Sequence, residues 1–342
     1  MFYDVLKARE NSDVFVIREC KLLTKEFVNV FCGILCSFGV KKYKNSSQFL
    51  QKSFIFIGVK LIKGIFWFLA SLIVGVGLDV IQKKLGQSLT GEEITFFRFL
   101  LGALVLLPFL VAGWIKKGFS LTPFLKIHLF RGVLLFSGMV LWCYGLLLVP
   151  ITTAIALNYS IPFFTLILSI PILKEHVNRD RWITTIVGFI GVLVVLNPTD
   201  MSFDKRSCLI LVSSLLFALL DVFNKKYVCK ESMLNMLFYT AFFTCILSAY
   251  PAFCHYSFAF LDNLGLLVTL GIGANLIFYC LLKAFTYMDA SALAPFRYCD
   301  FFVSALFGFI FFSEKPTQST CLGFLIIVPC TLYLTYKESR KR

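Results

Sequence analysis

Residues 285–314 read FTYMDASALAPFRYCDFFVSALFGFIFFSE, and this stretch decides the fold. From Ala290 to Phe312 it is long and apolar enough to cross a bilayer as a helix, which takes about 20 residues. Arg297 and Asp300 nevertheless sit near its middle. An ionised side chain at mid-bilayer costs about 2.5–3.5 kcal/mol on insertion scales, so a chain that keeps two has a use for them. At a spacing of i, i+3 the pair shares one helix face with Leu293, Ala294, Phe301 and Ser304. Pro295 has no N–H to donate, which frees the carbonyl of Ser291 and predicts a kink. Two readings fit the stripe: the wall of a polar cavity, or an Arg–Asp pair stapling this helix to a neighbour. The cavity is favoured, because intramembrane ions mark substrate pathways.

The rest of the chain belongs to the same solvent. Of 342 residues 58% are apolar, Phe alone numbering 40, and the mean hydropathy is +0.83. Soluble domains hold about 45–50% apolar residues, so the composition is that of a polytopic membrane protein. The net charge of +14 suggests nucleic acid at first sight. The Lys and Arg instead form short clusters between apolar runs, as in cytoplasmic loops, and no nucleic-acid motif accompanies them. The twelve Cys are scattered through apolar segments. Cys32 and Cys36 can share a helix face, but nothing nearby completes a zinc site. The Cys read as reduced, buried small hydrophobes.

Residues 1–63 form an N-terminal extension. Its apolar run Phe27–Val40 is short for a span, and CSFGVKKYKN makes a poor signal-cleavage site. An interfacial arm, or upstream sequence from a misplaced start, is the expectation. Beyond Lys63, ten spans fit at roughly 64–82, 94–115, 130–149, 151–173, 182–198, 207–227, 234–254, 263–282, 289–312 and 319–336. If the end near Lys63 is inside, the inner connections and tail carry fifteen Lys and Arg, Arg131 and Arg181 among them as loop charges, and the outer ones five. That asymmetry puts both bundle ends in the cytoplasm.

An internal repeat supports the count. Leu78-Asp79-Val80-Ile81-Gln82-Lys83-Lys84 recurs as Leu220-Asp221-Val222-Phe223-Asn224-Lys225-Lys226, and Glu175, closing the fourth span, recurs as Glu314, closing the ninth. Five spans per unit is odd, so the second unit runs inverted relative to the first. The expected fold is all-α: ten transmembrane helices in two inverted five-helix repeats, 64–198 and 207–336, with a tail at 337–342. Inverted repeats belong to secondary transporters, which hold substrate near mid-membrane between the halves.

Several residues can carry chemistry. Asp79 and Asp221 hold equivalent positions late in spans one and six, where each can bind a cation or proton, or simply cap a helix and pair with the following Lys. Arg98, nearer the end of span two, can snorkel. In span four, Thr152, Ala156, Tyr159 and Phe163 fall on one face, and Pro162 frees the carbonyl of Asn158. Trp142, Tyr144, Tyr159, Phe163, Tyr298 and Phe301 can form a cage for a cationic group, worth about 0.5–2 kcal/mol per good contact. In so aromatic a chain, any single Phe is better read as packing. No Walker loop, metal-binding His pair or GxSxG elbow is present, and His128, His176 and His255 form no cluster along the chain. The chain reads as a non-enzyme without cofactor, whose work comes from gradients or exchange.

The span plan, the repeat and the two closing Glu residues resemble the EamA-like drug/metabolite transporter superfamily over Gly64 to Tyr336. Within it, the chain is similar to the S-adenosylmethionine transporters of obligate intracellular bacteria. The blocks that carry this are the LDVxxKK repeat, Phe96–Phe99 (FFRF), Leu129–Gly132 (LFRG), Ile151–Ala154, Ser160–Leu168, Lys230–Met233, Leu282–Phe285 and Ala294–Tyr298. The chain departs from the pattern in its extension and at Cys299-Asp300, where an apolar residue and Glu are expected. The resemblance implies inner-membrane uptake of S-adenosylmethionine in exchange for S-adenosylhomocysteine. Its sulfonium and ammonium would face Asp300, Asp79 or Asp221, and its carboxylate Arg297 or Arg98. Its adenine would meet Tyr159, Tyr298 or Phe301. A proton-coupled carrier of another metabolite and a membrane-embedded lipid enzyme are the alternatives.

Overall fold

The computed structural model describes residues 48–86, 88–117, 122–148, 151–196, 206–254, 260–312 and 318–341. The chain divides into two compact units, Met1–Ser53 and Phe54–Arg342. Residues 1–47 of the extension, with Phe27–Val40, Cys32 and Cys36, lie outside the described residues, as do His255 and Glu314, whereas residues 48–63 are helical and run straight into the first span.

Every regular element among the described residues is a helix. They run α1 (Gln48–Leu85), α2 (Gly91–Lys117), α3 (Leu125–Leu148), α4 (Ile151–Asn158), α5 (Ile161–Leu173), α6 (Arg179–Leu196), α7 (Ser207–Tyr227), α8 (Met233–Cys254), α9 (Leu264–Tyr287), α10 (Ala290–Leu293), a 3-10 segment (Ala294–Cys299), α11 (Asp300–Phe312) and α12 (Gln318–Lys341). Seven stretches among them are long and apolar enough to cross a membrane. Large apolar side chains such as Phe66, Phe109, Ile115 and Leu325 point outward, as a lipid-facing surface requires.

Local sequence explains the helix starts and breaks. Thr90 and Glu93 open α2 with a reciprocal cap: the Thr90 N–H donates to the Glu93 carboxylate (2.9 Å) and the Glu93 N–H to the Thr90 hydroxyl (3.3 Å). Pro162 falls in the first turn of α5, where a missing N–H costs nothing, so span four breaks at Tyr159–Ser160 instead of bending through. Pro295 acts more strongly than the expected kink. It opens a six-residue 3-10 segment that separates α10 from α11, so residues 290–312 are two helices with a tight link.

Within the bundle α2 packs on α8 and α9, α3 on α7 and α8, and α6 on α12. Without a hydrophobic drive between helices in lipid, small residues set such approaches. Gly271 faces Gly102 so closely that a Cβ on it would lie 2.9 Å from the Gly102 nitrogen, and Asn275 donates across the same contact to the Gly102 carbonyl (2.8 Å).

Candidate functional site

The two breaks meet. Tyr159, at the break between α4 and α5, lies with its ring centroid 6.0 Å from that of Tyr298 on the 3-10 segment. Both are buried, Tyr298 completely, and among the described residues its hydroxyl is one of the few buried polar atoms without a partner; the Ser160 hydroxyl is another. Tyr298 packs on Gly188 of α6, where a Cβ would come 2.4 Å from the ring. A glycine is therefore needed to seat that ring.

Arg297, next to Tyr298, pairs with Asp221 on α7 at 3.3 Å. This corrects the expected partner, since Asp300 sits past the 3-10 segment at the head of α11. Among the described residues the Asp300 carboxylate makes no hydrogen bond or ion pair. Its electrostatic neighbours are Asp79 and Arg297. Asp79 is exposed and lies within electrostatic range of Arg98, Asp300 and Tyr159. Arg98 turns inward, contrary to the expected snorkelling: it donates weakly to Gln82 (3.5 Å), lies over the Phe99 ring (5.8 Å) and leaves its Nε buried and unbonded.

Seven of the eight sequence-nominated residues thus connect through contact or charge: Asp79, Arg98, Tyr159, Asp221, Arg297, Tyr298 and Asp300. Phe301 is half-buried and stacks on no described ring. The wider aromatic cage does not assemble, because Phe163 packs edge-on against Phe189 and Tyr144 is exposed. The arrangement offers carboxylates, guanidinia and two close rings at interrupted helices. That combination suits a small solute carrying both charge signs and a flat ring. No group of His, Cys, Asp and Glu among the described residues is placed to hold a metal.

A second polar cluster escaped the sequence reading. Arg131, counted there as a loop charge, is 1% exposed. It donates to Asn224 (2.8 Å) and the Met236 carbonyl (3.2 Å), and its Nη1 lies 3.1 Å from His128 Nδ1. His128 stacks on Tyr239 and lies 3.7 Å from Glu231, which also accepts from Thr122. The three histidines form no group in sequence, but His128 gathers this one in space. One signal was available: Gln82 and Asn224, at matching places in the repeat, each accept from an arginine.

Interrupted helices around a buried charged site define a polytopic membrane protein built to handle a solute. The profile of the EamA-like transporter family matches residues 62–197 and 205–336, and the chain belongs to that family. It is 43% identical over 277 residues to the S-adenosylmethionine uptake transporter of Rickettsia bellii, covering 81% of this chain and 94% of that one. The protein of the same name from Rickettsia prowazekii is 42% identical over 279 residues, covering 82% and 94%. The riboflavin transporter of Vibrio cholerae is 28% identical over 284 residues, covering 82% and 95%. A solved structure titled "Crystal structure of protein" shares the fold, with a TM-score of 0.70 at 16% identity over 81% of this chain and 98% of that one.

Proposed function

We propose that the chain is a secondary transporter of the bacterial inner membrane that takes up S-adenosylmethionine, in exchange for S-adenosylhomocysteine. The observation that carries this is the 42–43% identity to Rickettsia proteins of that named activity, across 94% of their length. The site chemistry agrees with the cargo. Arg297 and Arg98 supply forks for the ligand carboxylate, and Asp300 and Asp79 supply charge for its ammonium and sulfonium. Tyr159 and Tyr298 supply faces for the adenine or the sulfonium. Because the exchanged ligand lacks the sulfonium charge, contacts shared by both ligands dominate affinity.

Ten spans in two inverted repeats, with both bundle ends cytoplasmic, are part of this reading. Contacts between distant segments support it. Alternating spans would bring the ends of α5 and α12 and the starts of α6 and α10 to one face, and Arg181 reaches both Glu338 and Ser291 there. On the opposite face Asn263, before α9, donates to Ser88, before α2 (3.1 Å).

Relatives named riboflavin transporter, at 26–28% identity, favour a second reading of the same fold with another cargo. Uptake of labelled S-adenosylmethionine by cells expressing the chain separates the two. Accumulation that unlabelled S-adenosylhomocysteine suppresses is expected. No accumulation from membranes that contain the protein would reject this cargo.

A further inference from the structure

The four-residue helix α10 begins inside a knot of charged groups. The Glu175 carboxylate, just past α5, accepts from the backbone N–H of Ala290 (3.0 Å) and of Ser291 (3.1 Å), and from the Ser291 hydroxyl. Arg181, in the first turn of α6, donates to that same Ser291 oxygen (2.6 Å) and to Asp289 (3.1 Å). It also binds both carboxylate oxygens of Glu338, near the end of α12, at 2.9 and 3.1 Å. Lys225 on α7 donates to the carbonyls of Phe285 (2.8 Å) and Met288 (2.6 Å), where α9 ends. Ser291 is fully buried, its hydroxyl used as donor on one side and acceptor on the other.

This knot stands between two cavities. On one side of α10 lies a cavity of about 190 Å³ lined by Lys60, Met288, Asp289, Ala292 and Glu338. On the other lies a cavity of about 10 Å³, room for one water, lined by Asp221, Ala290, Ala294 and Arg297. One turn of helix is the partition, and its first residues are held directly by Glu175 and Arg181, with Glu338 of α12 bracing Arg181 from behind.

We infer that Glu175, Ser291 and Arg181 form a latch on the solute path, closing the α10 partition between the cavity at Lys60 and Glu338 and the Arg297–Asp221 pair. This rests on the transporter reading proposed above. The latch residues are positioning residues, since none lines the cavity at Asp221 and Arg297. Charge-assisted bonds to one short segment are made or broken together, so they suit a two-position element. The same grip links the two broken spans: Glu175 lies two residues past the helix that begins at Ile161, and Ser291 lies six before Arg297. Releasing the latch frees the 3-10 segment that carries Arg297 and Tyr298, and joins the two cavities.

Amide hydrogen exchange on the full chain in lipid nanodiscs tests this without any ligand. Ser291→Ala and Glu175→Gln should each speed exchange across residues 288–296 at least tenfold, with the amides of Gly91–Lys117 unchanged. Unchanged exchange at residues 288–296 in both variants overturns the latch, and equal acceleration over the whole chain reduces it to a fold contact. Should Glu175→Gln fail to accumulate, Ser291→Ala, which removes one hydroxyl, decides alone. In transport, the variants should shift the maximal rate of S-adenosylmethionine uptake at least threefold with KM within twofold. An unshifted maximal rate overturns the gating role. Absence of uptake by the parent chain would strike the cargo assignment and leave the exchange result standing.

Discussion

Arg297 pairs with Asp221 on α7, 3.3 Å away, and not with Asp300 three residues along its own chain. The 3-10 segment is the cause: it ends at Cys299, so Asp300 opens a new helix while Arg297 is turned towards the helix beginning at Ser207. The charge that steadies Arg297 therefore comes from one element, and the carboxylate left without an ion pair from another.

Arg297→Lys keeps the charge and loses the planar fork that a carboxylate matches. Uptake should fall at least tenfold with membrane abundance near that of the parent. Arg297→Ala leaves Asp221 short of its partner, at a cost of about 1–3 kcal/mol. The double variant Arg297→Ala with Asp221→Ala should regain abundance but not uptake. Recovery of both in quantitative blots and uptake assays would reduce Arg297 to a staple.

Tyr298→Phe removes a buried hydroxyl that has no partner among the described residues. Thermal stability should be unchanged or slightly higher, because no bond is lost. Ligand affinity, measured by calorimetry on the purified protein, should weaken several-fold if that hydroxyl serves the ligand. Gly188→Ala should be worse on both counts, since its new methyl displaces the Tyr298 ring.

Glu231 gives a pH signature outside the spans. Burial alone would raise its pKa. Bonds from Thr122, the Ser232 N–H and Asn235, with the charge of His128, outweigh burial and hold the carboxyl below its ordinary value. A depressed carboxyl stabilises the fold above its unfolded pKa, and that contribution is lost as pH falls through the folded value. The melting-temperature gap between the parent and Glu231→Gln should be full near pH 6 and shrink as pH falls below the unfolded value of about 4.3.

Topology can be read directly. Reporter fusions after Lys117 and Lys230 should report cytoplasm, and fusions after Asp200 and Asp262 the external side. The Thr122–Glu231 contact requires that the first two sites share a face. Opposite signals at any two sites would reject the orientation.

The helical class, the repeat and most members of the candidate cluster were legible because each rests on a local pattern: apolar length, a recurring motif, a charge in an apolar run. Partners were less legible. Asp300 was the nearest carboxylate to Arg297 in sequence, and only the 3-10 segment, a backbone choice imposed by Pro295 among packed neighbours, sends Arg297 to Asp221. Arg131 and Arg181 looked like loop charges because they stand beside helix starts, yet both are buried, at 1% and 3% exposure. Their partners, Asn224 and Glu338, are 93 and 157 residues away, beyond the reach of any spacing rule.

The break at Tyr159–Ser160 has an evolutionary corollary. A helix that restarts inside a span presents backbone N–H groups that only a proline removes, as Pro162 does at its own position. Such groups survive most changes of side chain around them. Cargo choice can then drift through a handful of flanking positions, while the capacity to hold a polar solute in the membrane stays fixed in the main chain.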